Sequence, residues 1–304
     1  MAKKKIILSF LIVLILLLGW YLFIKRSDYV ITFKAKTATT TIFQGIQDWS
    51  KQQQKLNGGN CKILEKRNFD FIVQKMSRAK ESFIYTWELS SVNDSITGIS
   101  VGIKEVDNSL YNRLTAPFFN TKFKQNQIEK IKYFKDELES HLKNFKVKII
   151  GEGTSEETFV AYINLKSVLE EKAQTMIMKD ALLTTYLVAN TIKISGKPYL
   201  EVTKWDLDSE KIEFNYCFPI DKNSKYVPDA NVKFKTLPAI KGLKATYYGN
   251  MRTSDRGWFA LQDYAKSHNL KIENKPLEHF FANPYNGGNE LEWETQIIVP
   301  FEEK

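Results

Sequence analysis

The chain has 304 residues, of which 43% are hydrophobic and 26% charged, a composition that excludes a disordered, collagen-like or coiled-coil protein. Its length fits about two domains of roughly 100–200 residues each. Cys61 and Cys217 are too far apart in sequence for a CxxC pair, and the three histidines do not form an HExxH motif, so we expect neither a disulfide scaffold nor a metal site. The sequence contains no GxxxxGK[ST] or GxGxxG loop, and we expect no cofactor.

The N-terminus carries a long apolar run. Residues Ile6–Ile24 include no charged side chain, and as a helix they would span about 28 Å, close to the ~30 Å hydrocarbon core of a bilayer. Trp20 and Tyr21 lie near its end, where aromatic belts occur. The alternative is a cleaved signal peptide, whose apolar region is usually about 7–15 residues long and ends at a small-x-small site, which the following residues lack. We predict a membrane anchor over residues 1–28.

Charge predicts the orientation and the surroundings of the chain. Three lysines precede the apolar run, whereas only Lys25 and Arg26 follow it directly, which favours an inner N-terminus and a body outside the cytoplasm. The net charge of +9 is concentrated near the anchor, because residues 29–148 carry +8 and residues 149–304 carry −3. A basic segment beside a bilayer indicates contact with anionic lipid. We expect no nucleic-acid partner, since no helix-turn-helix or RNP-like pattern occurs.

Residues 29–148 read as an antiparallel sheet with two helices. YVITFKA is a strand, Thr37–Lys51 is a helix, and Gln125–Phe145 is a long amphipathic helix with apolar residues three or four apart. Between the helices lie four strand-like runs with period-two apolar residues, namely CKILEKR, FDFIVQK, SFIYTWELS and SITGISVGIKEV.

This order of elements resembles the START/polyketide-cyclase superfamily, whose helix-grip fold wraps a curved sheet around a long C-terminal helix. The resemblance implies an apolar cavity that the strand-borne aromatic residues could line. Aromatic residues at strand period are more often core, and we favour that interpretation.

Residues 154–304 contain a repeat of the order strand, helix, strand, strand. The first copy has a strand at Thr158–Asn164, a helix at Met176–Ile194, and the strands of GKPYLEVTKWD and IEFNYCFPI. The second has a strand at Ile240–Tyr247, a helix at Ser254–His268, and the strands of NKPLEHFFANP and LEWETQIIVPF. One β-α-β-β unit is too small to bury its sheet alone, so we expect the two to pair about a pseudo-twofold axis.

This duplicated unit looks like the GyrI-like family, the small-molecule-binding domain of bacterial multidrug-responsive and AraC-type regulators. The matching features are Gly249 after a strand, Trp258 and Tyr264 on the helix, and a terminal strand ending in Pro300. A further match is the P-x-E…NP strand formed by Pro276, Glu278, Asn283 and Pro284. The predicted fold class is therefore α+β, with a transmembrane helix, a helix-grip domain and a GyrI-like domain.

The resemblance implies a groove between the two units that binds amphipathic, often cationic or aromatic ligands through aromatic rings and a carboxylate. The candidate ligand-binding residues are Tyr162, Tyr186, Tyr247, Trp258, Phe280, Tyr285, Trp293, Glu294 and Gln296. Gln296 stands where the family commonly has a glutamate, which counts against a strong preference for cations. Met251 stands where a tyrosine is common, so both departures count against the hydrolase activity of some relatives. Strand alternation places Glu292, Glu294 and Gln296 on one face.

Three functions follow as hypotheses. The first is a membrane-anchored protein that binds a hydrophobic or amphipathic small molecule in the groove. The second is a hydrolase of small reactive compounds, for which Glu278, Glu294, Tyr247 and His279 are the available acids and bases. The third is a degenerate scaffold on the membrane. We favour the first and assign no catalytic residue, because the sequence has no triad and no paired carboxylates at a recognised spacing.

Overall fold

The computed structural model describes residues 2–57, 59–78, 81–93, 96–227, 229–282 and 287–302. It confirms an α+β chain with an N-terminal apolar helix and two antiparallel sheets. The chain divides into two units, Met1–Glu139 and Ser140–Lys304, so that the division falls in the last turn of the long helix Lys122–Leu142, which we call α4.

The apolar run forms helix α1, Ala2–Gly19, continued by one π-helical stretch, Trp20–Ile24. Residues Ile6–Ile24 have a mean hydropathy of 2.8, and none of them is buried against the rest of the chain. By length and composition this helix can cross a membrane.

The first unit holds a five-stranded sheet in the order β1-β5-β4-β3-β2, with every neighbouring pair antiparallel. Its strands are β1 Tyr29–Ala35, β2 Asn60–Arg67, β3 Phe71–Arg78, β4 Glu81–Asn93 and β5 Ile96–Glu105. Its helices are α2 Thr39–Asn57, α3 Ser109–Thr115 and α4 Lys122–Leu142.

Aromatic side chains from the sheet and the helices form the core of this unit. Trp49 of α2 packs edge-to-face on Tyr85 and Trp87 of β4, with ring centroids 5.9 and 5.7 Å apart. Trp87 also lies 4.9 Å from Phe134 of α4. Both strand residues are buried, so they act as core residues, the interpretation favoured from the sequence.

The second unit is built on an eight-stranded antiparallel sheet in the order β10-β7-β9-β8-β12-β13-β11-β6. The strands are β6 Phe145–Thr154, β7 Thr158–Val168, β8 Tyr199–Asp206, β9 Lys211–Pro219, β10 Lys233–Leu237, β11 Lys241–Gly249, β12 Leu277–Phe280 and β13 Glu294–Pro300. Two helices belong to it, α5 Lys172–Ala189 and α6 Asp255–Ser267.

The strand order reproduces the sequence repeat as a symmetric arrangement. The first copy contributes β7-β9-β8 and the second contributes β12-β13-β11, so that β8 and β12 meet at the centre of the sheet. The flanking strands β10 and β6 each pair with the first strand of one copy. This arrangement is the one expected for two β-α-β-β units that share a sheet.

Some predicted boundaries were wrong. Phe145, predicted as the last apolar position of the long helix, is the first residue of β6, where it pairs with Gly249. Glu292 lies in a 3₁₀ helix, Glu290–Glu292, and therefore does not share a strand with Glu294 and Gln296. Three further elements were not predicted: α3 and β10 are short, and β6 begins at Phe145, which was assigned to the preceding helix.

Candidate functional site

A cleft of about 660 Å³ lies between the two copies of the repeat in the second unit. The first copy contributes one face of α5 and the end of β9, and the second contributes residues 250–252 and the end of β12. Its larger apolar and aromatic lining residues are Met176, Ile177, Tyr216, Phe218, Met251 and Phe280. Both halves of the duplication therefore supply the apolar wall.

Local periodicity explains why these residues share the cleft. Met176, Asp180 and Thr184 are four residues apart on α5, which places them on one helix face. Tyr216 and Phe218 are two apart on β9 and therefore point to the same side of the sheet. The helix thus lies over the side of β9 that carries these two aromatic rings.

A glycine shapes the second half of the cleft. Gly249 ends β11 with φ +151°, a conformation that L side chains rarely adopt, and a Cβ there would overlap the Tyr247 hydroxyl. That hydroxyl lies 2.7 Å from Thr253 Oγ1 and donates to the Asn250 carbonyl at 3.0 Å. Burial raises the pKa of Tyr247. The buried tyrosine therefore fixes the turn that carries Met251 and Arg252 into the cleft.

The polar groups of the cleft give it a positive rim. Asp180 accepts a hydrogen bond from the Tyr216 hydroxyl at 2.7 Å, so its carboxylate is already engaged. Lys197 and Arg252 are exposed lining residues. The cleft therefore has two cationic side chains and one carboxylate, and that carboxylate is already hydrogen-bonded to Tyr216. This balance favours a ligand with an anionic or neutral polar group.

Next to the cleft lies a buried charged cluster. Lys172 Nζ lies 3.3 Å from Glu278 Oε1 and donates to Ser254 Oγ at 2.6 Å. Trp258 Nε1 donates to the same Glu278 oxygen at 2.7 Å, and Lys172 Nζ lies 4.5 Å from the Trp258 ring centroid. Burial raises the pKa of Glu278, and the Lys172 ammonium opposes that rise. Lys172 precedes Met176 by one helical turn, and Glu278 precedes Phe280 by two residues.

Cross-strand pairing decides which side of the sheet the acidic candidates face. Glu278 pairs with Ile297, and a side chain added at Gly257 of α6 would meet Ile297, so Glu278 faces the helices. His279 pairs with Gln296 and therefore faces the opposite side. Glu294 lies beside Gln296 on that side, where its Oε1 accepts from Gln296 Nε2 at 3.1 Å.

The predicted ligand-binding residues are dispersed. Phe280 is the one that lines the described cleft. Tyr247 and Trp258 are buried next to it, in the contacts given above. Glu294 and Gln296 face the opposite side of the sheet, and the Trp293 carbonyl accepts from the Gly249 amide at 3.1 Å.

The remaining predicted residues lie elsewhere. Tyr162 lies in β7 with Lys235 Nζ 5.0 Å from its ring centroid, and its partner across the ladder is Cys217. Tyr186 donates a hydrogen bond to the Val227 carbonyl. Tyr285 lies outside the described residues.

The four acids and bases considered for a hydrolase do not line the described cleft. Glu278 and Tyr247 are buried, and Glu294 and His279 face the other side of the sheet. His279 lies between two rings, with the Tyr199 centroid at 3.9 Å and the Phe281 centroid at 4.2 Å. Partial burial lowers the pKa of His279 to about 4.

The sequence analysis missed Asp180, Lys197, Tyr216 and Arg252, and it did not foresee that Lys172 and Ser254 contact Glu278. A usable signal existed in the helical spacing of Met176, Asp180 and Thr184. The contact between Lys172 and Glu278, which are 106 residues apart, has no local signal.

The first unit also has cavities, of about 560 and 460 Å³, which share Glu81 and Lys130. Most of the residues that line them are polar or charged, with Asn126 in both and Gln127 in the larger. Of the larger cavities, the cleft between the repeats has the more apolar wall.

No protein-family model and no curated protein matches the chain. Solved structures show distant likenesses. The EcmrR C-terminal domain is 13% identical, with 53% of this chain and 99% of that domain covered and a TM-score of 0.43. SAV2435 bound to tetraphenylphosphonium is 10% identical, with 52% and 93% covered and a TM-score of 0.32.

The di-domain ARO/CYC StfQ from the steffimycin biosynthetic pathway is 12% identical, with 90% of this chain and 85% of that chain covered and a TM-score of 0.26. At these scores the likenesses do not assign the chain to a family.

Proposed function

We propose that the protein is a membrane-anchored binding protein that holds an amphipathic small molecule in the cleft between its two β-α-β-β repeats. The observation that carries this proposal is the apolar wall formed jointly by α5, β9, residues 250–252 and β12. At about 660 Å³ the cleft falls within the range of roughly 300–1,000 Å³ typical of small-molecule sites. The duplicated unit supports a GyrI-like origin for this site.

The charges of the site favour an apolar molecule with an anionic or neutral head. Lys197 and Arg252 are exposed at the cleft, and the carboxylate of Asp180 accepts from Tyr216. The buried carboxylate of Glu278 has Lys172 as its cation, and that ammonium also lies over the Trp258 ring. A ligand cation would therefore compete with a cation that the chain already supplies.

The apolar helix supports membrane attachment. Ile6–Ile24 is long enough to cross a bilayer, and none of its residues is buried inside the described structure. The three lysines before it favour an inner N-terminus, with both units outside the cytoplasm. The two predicted domains, residues 29–148 and 154–304, remain our proposal, and because β6, Phe145–Thr154, belongs to the second sheet, we place the boundary between them before β6.

The test is equilibrium dialysis of radiolabelled decanoate against the full chain in lipid nanodiscs. Ile177→Trp fills the cleft, whereas Met178→Trp adds the same ring to the next residue of α5, which is exposed. Because both variants reside in identical nanodiscs, partitioning of decanoate into lipid cancels between them. We expect saturable binding by the wild type and Met178→Trp and its loss in Ile177→Trp. Equal uptake by all three proteins would contradict the proposal.

A further inference from the structure

A buried ion pair joins the end of the apolar helix to the first unit. Arg113 of α3 donates from Nε to Asp28 Oδ1 at 2.9 Å, and its Nη1 donates to the Leu22 carbonyl at 2.7 Å. The side chains of Arg113 and Asp28 are 3% and 0% exposed. The Tyr21 hydroxyl donates back to the Arg113 carbonyl at 3.1 Å. These bonds fix α3 at the level of the last turn of the apolar segment.

Asp28 extends the same network into the sheet. Its Oδ2 accepts from the Glu105 amide at 2.9 Å, its Oδ1 also accepts from the Ser109 hydroxyl, and its amide donates to the Ile103 carbonyl at 2.8 Å. Three residues, 25–27, separate Ile24 from this buried carboxylate. Since removing one partner of a buried charge pair is strongly destabilising, this junction acts as a rigid connection and not as a flexible linker.

Beside this junction the chain exposes a set of large apolar side chains within ten residues. Phe118 is 80% exposed, Phe119 65% and Tyr111 63%, and Leu110 and Leu114 are about half exposed as well. We refer to these five residues as the 110–119 surface. Exposed apolar residues are normal when scattered singly, but such a concentration marks an interaction site. Lys25 and Arg26 directly follow the apolar helix, and Lys122 follows Phe119 by three residues, so positive charge is present in both segments.

We propose that the 110–119 surface docks into the interfacial layer of the same bilayer that α1 crosses. Trp20, Phe23 and Ile24 are exposed in the last turn of the apolar segment, at the end where Arg113 attaches α3. The inference rests on the proposed anchor, because a bilayer that surrounds Ile6–Ile24 ends near residues to which α3 is bonded. Aromatic and leucine side chains with neighbouring lysines are the composition of interfacial segments.

Docking would hold the first unit directly against the membrane surface. The anchor alone would leave the helix and the unit attached to it free to tilt together in the bilayer, whereas a second contact at residues 110–119 fixes their orientation. The surface is therefore assigned to lipid and not to a protein partner, because the bilayer is the one neighbour whose position the anchor determines.

The test measures the depth of single fluorescent labels in the full chain. Cys61→Ser removes the half-exposed native thiol, while Cys217 is buried and stays unlabelled. Phe118→Cys reports on the 110–119 surface, Ile24→Cys on the anchor, and Val92→Cys on an exposed apolar residue of the same unit. Each is labelled with an NBD fluorophore and reconstituted into phosphatidylcholine–phosphatidylglycerol vesicles with nitroxide-bearing lipid.

Docking predicts a blue-shifted NBD emission at residue 118 and quenching by the nitroxide close to that at residue 24, with little quenching at residue 92. Interfacial residues sit about 5–10 Å into the headgroup and acyl boundary, within reach of a nitroxide near the top of the acyl chain. Quenching at residue 24 alone would overturn docking and leave the anchor intact. A blue shift at residue 118 without quenching would assign the surface to a second copy of this chain, the one protein in the vesicles, and would also overturn docking. Without quenching at either residue, both the docking and the anchor are wrong.

Discussion

Lys172 of α5 and Glu278 of β12 form an ion pair that crosses between the two repeats, with 3.3 Å between Nζ and Oε1. The two side chains are 1% and 0% exposed, so solvent does not screen the pair. The aromatic contact of Lys172 with Trp258 and its hydrogen bond to Ser254 complete the environment of the ammonium. The chain thus supplies its own cation to a carboxylate and a ring next to the ligand cleft, which argues for an anionic or neutral ligand.

Breaking this pair should destabilise the protein strongly. Lys172→Met and Glu278→Met each leave one buried polar partner uncompensated, and we expect a loss of about 3–5 kcal/mol in the free energy of unfolding. The double variant Lys172→Met/Glu278→Met removes both charges and should lose less than the sum of the single changes. Chemical denaturation of the four proteins gives the coupling energy.

The matched control for the ion pair is Lys166→Met. Lys166 pairs with Glu213 at 3.1 Å, but its side chain is 69% exposed, so its removal should change stability by less than about 1 kcal/mol. Equal effects of Lys172→Met and Lys166→Met would show that the buried cluster has no special role.

Reversing the charge of Arg252 should select against anionic ligands. Arg252→Glu places a carboxylate at the rim of the cleft, and we expect the affinity for decanoate to fall about tenfold or more, the range of a charge-assisted hydrogen bond. The affinity for uncharged decanol should stay within about twofold. Lys193→Glu makes the same change at an exposed residue outside the described lining, and it should leave both affinities unchanged.

The lowered pKa of His279 predicts that the protein loses stability as the pH falls. Its pKa is lowered to about 4 by burial, below the ordinary value of about 6.5, so the folded state favours the neutral ring. The contribution of the neutral His279 ring to the free energy of unfolding is complete above about pH 6.5 and is lost as the pH falls through 4. Allowing for partial exposure, it amounts to about 1 kcal/mol.

The measurement for His279 compares melting curves of wild type and His279→Phe between pH 7 and 4. The phenyl ring keeps the stacking with Tyr199 and Phe281 but does not titrate. We expect this variant to lose less stability on acidification than the wild type. The control is His268→Phe, since His268 is exposed, and this variant should lose as much stability on acidification as the wild type. If His268→Phe and His279→Phe lost the same amount of stability, the assignment to His279 would be wrong.

Gln296 tests which side of the sheet holds the ligand. If Gln296 faced the ligand, as predicted from the sequence, a glutamate here would lower stability and raise affinity for lipophilic cations. Since Gln296 donates to Glu294, Gln296→Glu puts two carboxylates side by side, and we expect a loss of about 1–2 kcal/mol at pH 7 that recovers as one carboxyl protonates. Gln296→Met should lose the hydrogen bond without this pH dependence.

Binding of decanoate and of tetraphenylphosphonium should be the same in wild type and Gln296→Glu, because the residue faces away from the cleft. A marked gain in tetraphenylphosphonium affinity would instead support the sequence-based expectation that Gln296 faces the ligand.

Periodicity predicted most elements of the fold. The alternating residues of β3, β4 and β5 and the stripe of α4 are local patterns, and the repeat fixed the order of elements in the second unit. The seven residues of α3 are too few for a clear helical stripe. Phe145 fits either a helix or a strand by polarity, and its pairing with Gly249 determines the outcome.

The site was harder to predict because faces and partners are non-local. In β13 the consecutive residues Ile297, Ile298 and Val299 are all buried, so apolar alternation does not reveal which side Gln296 faces. The side that Gln296 faces follows from the register in which Glu278 pairs with Ile297, and this register is a non-local property. Aromatic residues chosen as ligand contacts proved to be largely buried or directed elsewhere, whereas the cleft wall is formed mainly by methionine, isoleucine and two rings of β9.

The measurement that tests the central claim most directly is photo-cross-linking of the full chain in nanodiscs with a diazirine-bearing fatty acid. Adducts are mapped by mass spectrometry in wild type, Ile177→Trp and Met178→Trp. The account predicts adducts on Met176, Phe218, Met251 or Phe280 in wild type and Met178→Trp, and their loss in Ile177→Trp. Adducts confined to the apolar helix or to the first unit in all three proteins would contradict it.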